Sequence, residues 1–357
     1  MKIYIKFFAN LFFKSLLFVL GVMISLVFIL NFLQELEFFQ DIEVDNHFTI
    51  FLALLNSPAM ILDMFPFIFL ITSQVFFIKL FSNNELITFK YSGLKNSKII
   101  IILMALSLIT GLLITSVFYY FSSNLKNFYL ELKSPYTNDG KYLAVITKNG
   151  LWIRDKINNK TLVINSSKID ENYLIGSFIT EFDNEYNVTK NIISDKIDVS
   201  NKKWLVYDPK IYQSNNYENK KLLELDTNFD YKRINSLYSN LNSLNVFKLI
   251  ELRGNYNKLN YSITELDLQL LKLSILPIFL VLMSLFSSLI MFRIKHLSSP
   301  TFKIAIGLFF SVIIYYLNNF FYVLGSTEKM NITISVLTPI FILSIINILM
   351  LNKINEK

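Results

Sequence analysis

Few residues in this chain are equipped for covalent or acid–base chemistry. There is no cysteine, which excludes thiolates, disulfides and Cys-ligated metals. The two histidines, His47 and His296, have no neighbour in sequence suited to metal binding or general-base work. His47 reads as an interfacial loop residue and His296 as a cation-like residue near a membrane surface. No G-x-x-x-x-G-K-[ST] loop is present to cradle phosphates, and no H-E-x-x-H or G-x-S-x-G motif occurs. The chain does not read as an enzyme or as a binder of its own cofactor. Its chemistry is instead a few polar side chains set in apolar text. Glu85 is the one carboxylate between Asp63 and Glu131. Asn31 and Asn318 are amides inside apolar runs, where a polar group faces protein or a cavity. Lys126 and Lys133 follow the end of another apolar run, where lysines commonly serve as interfacial anchors.

The elements that carry these residues are membrane spans. With 357 residues, 53% of them hydrophobic, and a mean hydropathy of +0.44, the chain is too apolar for an ordinary soluble domain. Runs at Phe12 to Leu33, Phe48 to Leu80, Ile99 to Phe121, Leu270 to Phe292, Ile304 to Leu324 and Ile332 to Leu351 are long enough to cross a hydrocarbon core of roughly 30 Å. The first has no small-residue cleavage site after it and reads as a retained helix. The second contains Asp63 and Pro66, and two arrangements remain open for it: an outer part lying in the interface, or one strongly tilted helix with Asp63 facing protein.

Charge orients the spans. Lys2, Lys6 and Lys14 precede the first, while Glu35, Glu37, Asp41, Glu43 and Asp45 follow it, so the N-terminus is expected inside. The segments assigned to the cytoplasm hold 12 Lys or Arg against 2 acids, and Ser122 to Leu268 holds 20 against 18. The net charge of +7 is thereby a topology signal and not a nucleic-acid footprint. Both termini belong in the cytoplasm. Between the second and third spans, Lys79 to Lys98 is a polar cytoplasmic hinge carrying Lys79, Lys90, Lys95 and Lys98. Asn83 or Asn84 is placed to cap a short amphipathic helix through Leu86, Ile87, Phe89 and Lys90, which ends at Ser92-Gly93.

The organisation is thus residues 1–121 with three spans and the 79–98 loop, an external insertion at 122–268, and three spans in 269–357. From Tyr142 to about Asp208 the pattern has period two. KYLAVITKNGLWIRD has an Asn149-Gly150 turn, and TLVINSS, NYLIGSFITEF, VTKNIIS and KKWLVYD follow at spacings of about ten residues. This predicts an all-β domain, sandwich or jelly roll, and Arg233 to Leu252 returns to helical period.

Three-plus-three spans, an inserted β domain and the N-E-L-I-x-x-x-x-S-G loop at Asn84 to Gly93 together resemble the LptF/LptG permease family of the lipopolysaccharide exporter. Pro58 to Pro66, Leu276-Pro277 and IYYLNNFF at Ile314 to Phe321 also fit, while NFLQEL and LWIRD lean to the LptG side. The resemblance implies a periplasmic jelly-roll-like domain in a multi-pass inner-membrane protein. It implies partners as well: a cytoplasmic ABC ATPase dimer that uses the ATP, a second homologous LptF-like permease, LptC-like and LptA-like bridge proteins, and lipopolysaccharide as cargo. It assigns Glu85, with Asn84, Leu86 and Phe89, to coupling with the ATPase. Phe28, Asn31 and Phe32 on the first helix, facing Tyr315, Asn318 and Phe321 on the fifth, become a lateral gate and lipid cavity. Many LptG-type chains carry a lysine near the outer end of the first helix where this one has Asn31, followed by Glu35 and Glu37; this leaves two readings, that Lys126 and Lys133 supply the phosphate-binding charge or that the lipid A carried is less phosphorylated. Two other readings stand beside this one. The first is a membrane-anchored sensor or scaffold, and the second is a permease of another lipid or lipoprotein ABC system, which typically has four spans.

Overall fold

The structure, a computed structural model, describes residues 3–40, 42, 44–82, 85–136, 151–157, 160–170, 172–213, 216–227, 229–231, 234, 240–258, 262–294 and 299–351. Two compact units emerge: Met1–Tyr129 with Thr264–Lys357, and Leu130–Ile263.

The first unit holds six helices long and apolar enough to cross a membrane. They are α1 (Ile3–Phe38), α2 (Asn46–Ser82), the pair α4 (Asn96–Leu113) and α5 (Tyr119–Lys133), α7 (Thr264–Arg293), α8 (Pro300–Ser326) and α9 (Ile332–Leu351). A seven-residue helix, α3 (Glu85–Tyr91), lies between α2 and α4. Of the two arrangements left open for the second apolar run, the structure takes the single helix: α2 passes through Pro58 and Pro66 without ending. Helices α4 and α5 join through a π turn at Ile114–Phe118, where Thr115 and Ser116 donate their hydroxyls back to carbonyls of the preceding turn.

Helices α2 and α7 form the centre. The best apolar window of α7 is 78% buried and that of α8 only 11%. Lipid offers no hydrophobic drive for helices to associate, so close approach and hydrogen bonds must hold the centre together. Serines supply much of this. Ser107 donates to Ser284 at 2.9 Å, joining α4 to α7, and Ser287 donates to the Leu70 carbonyl at 2.8 Å, joining α7 to α2. Asn347 of α9 donates to the Leu282 carbonyl at 3.1 Å. A Cβ on Gly111 would stand 3.0 Å from the Cα of Pro277, so glycine is what lets α4 lie against the proline turn of α7.

The second unit is an antiparallel sheet of β1 (Leu151–Ile157), β2 (Lys160–Asp170), β3 (Tyr173–Phe182), β4 (Val188–Asp198), β5 (Lys203–Tyr207), β6 (Lys210–Gln213), β7 (Asn216–Asn219) and β8 (Leu222–Asp226). The order is β1-β2-β3-β4-β5-β8, with β6 also on β4 and β7 on β6. Strand β4 splits its edge, pairing β5 through Lys196 to Asp198 and β6 through Asn191 to Ile193. Its core comes almost wholly from the strands: Ile153, Ile164, Leu174, Ile179, Ile192, Ile197, Trp204 and Val206 pack together with Phe229 and Ile234. Gly176, at φ +61°, reverses the pleat, so Leu174 and Ile179 both face inward although they stand an odd number of positions, five, apart. The indole of Trp204 is buried and donates to the Phe229 carbonyl at 2.8 Å. After the sheet comes α6 (Val246–Lys258), begun by Asn245, whose side chain accepts from the Lys248 amide at 3.0 Å. The predicted Asn149-Gly150 turn lies outside the described residues.

Candidate functional site

Three places in the membrane unit collect the polar side chains that sequence singled out. The first is α3. Its end is a Schellman motif: the Gly93 amide donates to the Lys90 carbonyl at 2.9 Å and the Leu94 amide to Phe89 at 3.0 Å, with Gly93 at φ +80°. Phe89 packs between Phe7 and Phe8 at ring distances of 5.3 and 4.9 Å, and Phe8 continues to Phe76 of α2. Leu86 is buried beside them. Leu86 and Phe89 thus fasten the helix to its own bundle. The face turned outward is Ile87, Thr88, Lys90 and Tyr91, the last 89% exposed. Neither Ile87 nor Tyr91 entered the sequence-derived set, because helical period alone does not say which side of so short a helix is occupied. Glu85 stands half-buried in the first turn, where a carboxylate complements the helix dipole. Asn84 lies outside the described residues.

The second place joins α1, α2 and α5. Asn31 has no exposed surface, and it donates to the Ala53 carbonyl and the Ser57 hydroxyl, both at 3.3 Å. The Asn56 amide donates to the Asn31 oxygen at 2.8 Å, and Lys126 donates a short hydrogen bond to the Asn56 oxygen. Lys126 also rests over the Tyr129 ring at 4.6 Å, while the Tyr129 hydroxyl donates to Glu35 at 2.7 Å. Glu35 is itself buried. Of the two surroundings expected for an amide inside a span, protein or a cavity, Asn31 has protein, and it links α1 to α2. Lys126, half-buried, is directed at protein groups of the same network, and Lys133 is buried at the end of α5.

The residues expected to form a gate are dispersed. Phe28 and Phe32 stack on one another on α1, centroids 6.2 Å apart. On α8, Tyr315 is exposed and Asn318 and Phe321 are half-buried. Helix α1 packs on α2 and α4, whereas α8 packs on α2, α7 and α9. Among the described residues α1 and α8 are not a packed pair, so the facing of Phe28, Asn31 and Phe32 with Tyr315, Asn318 and Phe321 is not formed by helix packing within one chain. The inward stripe of α8 is Lys303, Gly307 and Ser311, spaced four apart, with Gln74 of α2 donating to the Lys303 carbonyl at 2.8 Å.

The third place was missed from sequence. Lys272 of α7 donates to Asp63 of α2 at 2.7 Å, and both side chains remain partly exposed. One signal was available. Of the 34 basic residues, Lys272 and Lys329 are the two that fall outside both the cytoplasmic and the insertion tallies.

No group of three or more metal-ligating side chains comes together among the described residues. Three spans on each side of an inserted antiparallel β unit, with a short capped helix between the second and third, define a polytopic membrane protein of permease type. The family model of the lipopolysaccharide export system permease LptF/LptG matches residues 6–353, and the chain belongs to that family. The family is the permease of the lipopolysaccharide export system, and this member is a multi-pass inner-membrane protein. A direct comparison with curated proteins finds no match.

Proposed function

We propose that this chain is one half of the exporter's transmembrane pore, drawing lipopolysaccharide out of the inner membrane and passing it to a periplasmic bridge. Its energy comes from a separate cytoplasmic ATPase dimer. The observation that carries this reading is α3: a short helix, capped at its end and held to the bundle by Leu86 and Phe89, that turns Ile87 and Tyr91 outward among lysines. A chain without a phosphate loop gains ATP-driven motion only through such a contact. Glu85, in the first turn, is the coupling acid, and Ile87 and Tyr91 replace Leu86 and Phe89 as the surface that meets the ATPase.

Both termini and α3 are cytoplasmic in this reading, and the β unit is periplasmic, handing lipid to LptC-like and LptA-like jelly rolls. Among the described residues the main strand order ends on β1 and β8, and a partner strand is expected at one of these ends. The gate lies between chains: α1 of this permease against the fifth span of a homologous LptF-like partner, and α8 against that partner's first span. The broad exposure of Phe309, Tyr316 and Phe320 on α8 supports this arrangement. LptG leanings in the sequence make this chain the LptG-like half.

The test is co-purification from solubilised membranes with ATP hydrolysis assayed on the product. Tyr91→Ala and Glu85→Lys are each expected to lower ATPase recovery and lipid-stimulated hydrolysis, with the second permease still bound. A chain that co-purifies with no ATPase in any form would instead favour the sensor or scaffold.

A further inference from the structure

The Asp63–Lys272 pair has no role in the reading above beyond joining two helices. Its depth is informative. At about 1.5 Å per residue, Asp63 stands about 27 Å along α2 from Phe81, and Lys272 about 32 Å along α7 from Arg293. For a hydrocarbon core of roughly 30 Å, both lie at the boundary opposite α3, where the phosphates of outer-leaflet head groups reside. Their surroundings are polar and come from four spans. Lys272 approaches the Tyr322 ring of α8 at 5.9 Å, and Asp63 is near enough to Tyr119 and Tyr322 to act on both electrostatically. Tyr119 in turn bonds Gln269, one helical turn before Lys272.

The exposure is equally informative. The side chains are 51% exposed at Asp63 and 40% at Lys272. An ion pair with that much open surface does not face hydrocarbon, because ionised groups within spans turn to protein or to a water-filled cavity. It also differs from the buried network around Asn56, where the lysine is directed into protein. Both side chains keep open surface, and the ion-pair partner is a carboxylate, which a phosphate can replace with similar geometry and greater charge.

We propose that Lys272 is a ligand for a phosphate group of the transported lipid, and that Asp63 is its resident counter-ion, displaced when the phosphate arrives. In the empty state the carboxylate neutralises the ammonium and ties α2 to α7. In the loaded state phosphate takes the ammonium, and the tie between the two central helices is released. This rests on the exporter reading and on α3 being cytoplasmic.

The experiment uses the whole transporter complex in nanodiscs, with binding measured for diphosphorylated lipid A, for the same lipid with its phosphates removed, and for inorganic phosphate. Lys272→Gln is expected to weaken the phosphorylated lipid about tenfold or more, the loss of one charge-assisted hydrogen bond, and to leave the dephosphorylated lipid unchanged. Lys272→Arg should retain most binding. Asp63→Asn should tighten the phosphorylated lipid, because the ammonium no longer has a competing carboxylate. Equal weakening by Asp63→Asn and Lys272→Gln would make the pair a structural tie and overturn the proposal. Lys272→Gln without effect, in a complex that binds both lipids, would overturn it too while leaving the exporter reading intact. Saturation by inorganic phosphate at the lipid's concentration would overturn the lipid assignment. A wild-type complex that binds neither lipid would overturn the exporter reading itself.

Discussion

Replacing Asn56 with leucine tests how the C-terminal half of α1 is held. The two side chains have similar size, so the change removes hydrogen bonds more than volume. Asn56 donates to Asn31 at 2.8 Å and accepts from Lys126, and both bonds cross between helices. Interhelical side-chain hydrogen bonds in membranes average about 0.6 kcal/mol and reach about 1.7. Depriving a partly buried ammonium of an acceptor adds about 1–3 kcal/mol. The expected cost is about 2–4 kcal/mol. For a unit of this size that corresponds to roughly 5–15 °C in the unfolding midpoint, measured in detergent by the near-UV signal. A double-mutant cycle with Lys126→Met sharpens the test. Once the ammonium is gone, Asn56→Leu should cost less by about 1 kcal/mol or more, the coupling expected of residues in one network. Strict additivity, or a midpoint within about 1 °C of wild type, would refute the claim that this network pins α1 to α2 and α5.

Three further outcomes follow from other contacts. Gly307→Ala should destabilise the membrane unit, since the new Cβ would stand 2.1 Å from the Gln74 amide nitrogen; a thermal midpoint equal to wild type would show that α8 shifts freely on α2. Phe89→Ala should loosen α3, raising its protease sensitivity while the six spans stay folded, whereas Tyr91→Ala should leave protease sensitivity unchanged and still impair ATPase recovery. In the β unit, burial raises the pKa of the Glu181 carboxyl, but bonds from Lys160 and Lys190, at 2.8 and 3.2 Å, outweigh it and hold it below the usual carboxylate range. A depressed folded pKa means the stabilisation is present above the ordinary value of about 4.3 and is lost as pH falls through the folded one. Glu181→Gln should therefore reduce stability at neutral pH and flatten the acid-dependent decline, followed by tryptophan emission of the full-length protein. An unchanged decline would place the acid sensitivity elsewhere.

The legible part of this protein is what composition and period encode locally. Six apolar runs reappear as α1, α2, α4 with α5, α7, α8 and α9, because a span must satisfy its backbone internally and needs about 20 apolar residues to do so. The period-two text from LWIRD to KKWLVYD reappears as β1 to β5, since alternation across a pleat is a property of neighbouring residues. Ser92-Gly93 ends α3 for an equally local reason: glycine accepts the left-handed turn.

Tertiary structure decided which face each helix turns inward, and with it the meaning of almost every candidate side chain. Asn31 looked like a cavity residue because a lone amide in a span must find a partner. That its partners are Ala53, Ser57 and Asn56 follows only from the packing of α1 on α2. Lys126 and Lys272 are both lysines close to one end of an apolar run. One meets an amide and an aromatic ring, and the other meets a carboxylate with half its surface open. In lipid every side of a span can be apolar, so hydrophobic period does not mark the packed side as it does in water. Family, spans and inserted sheet are written in local pattern, whereas packing in three dimensions sets which charges are structural and which stay open to a ligand.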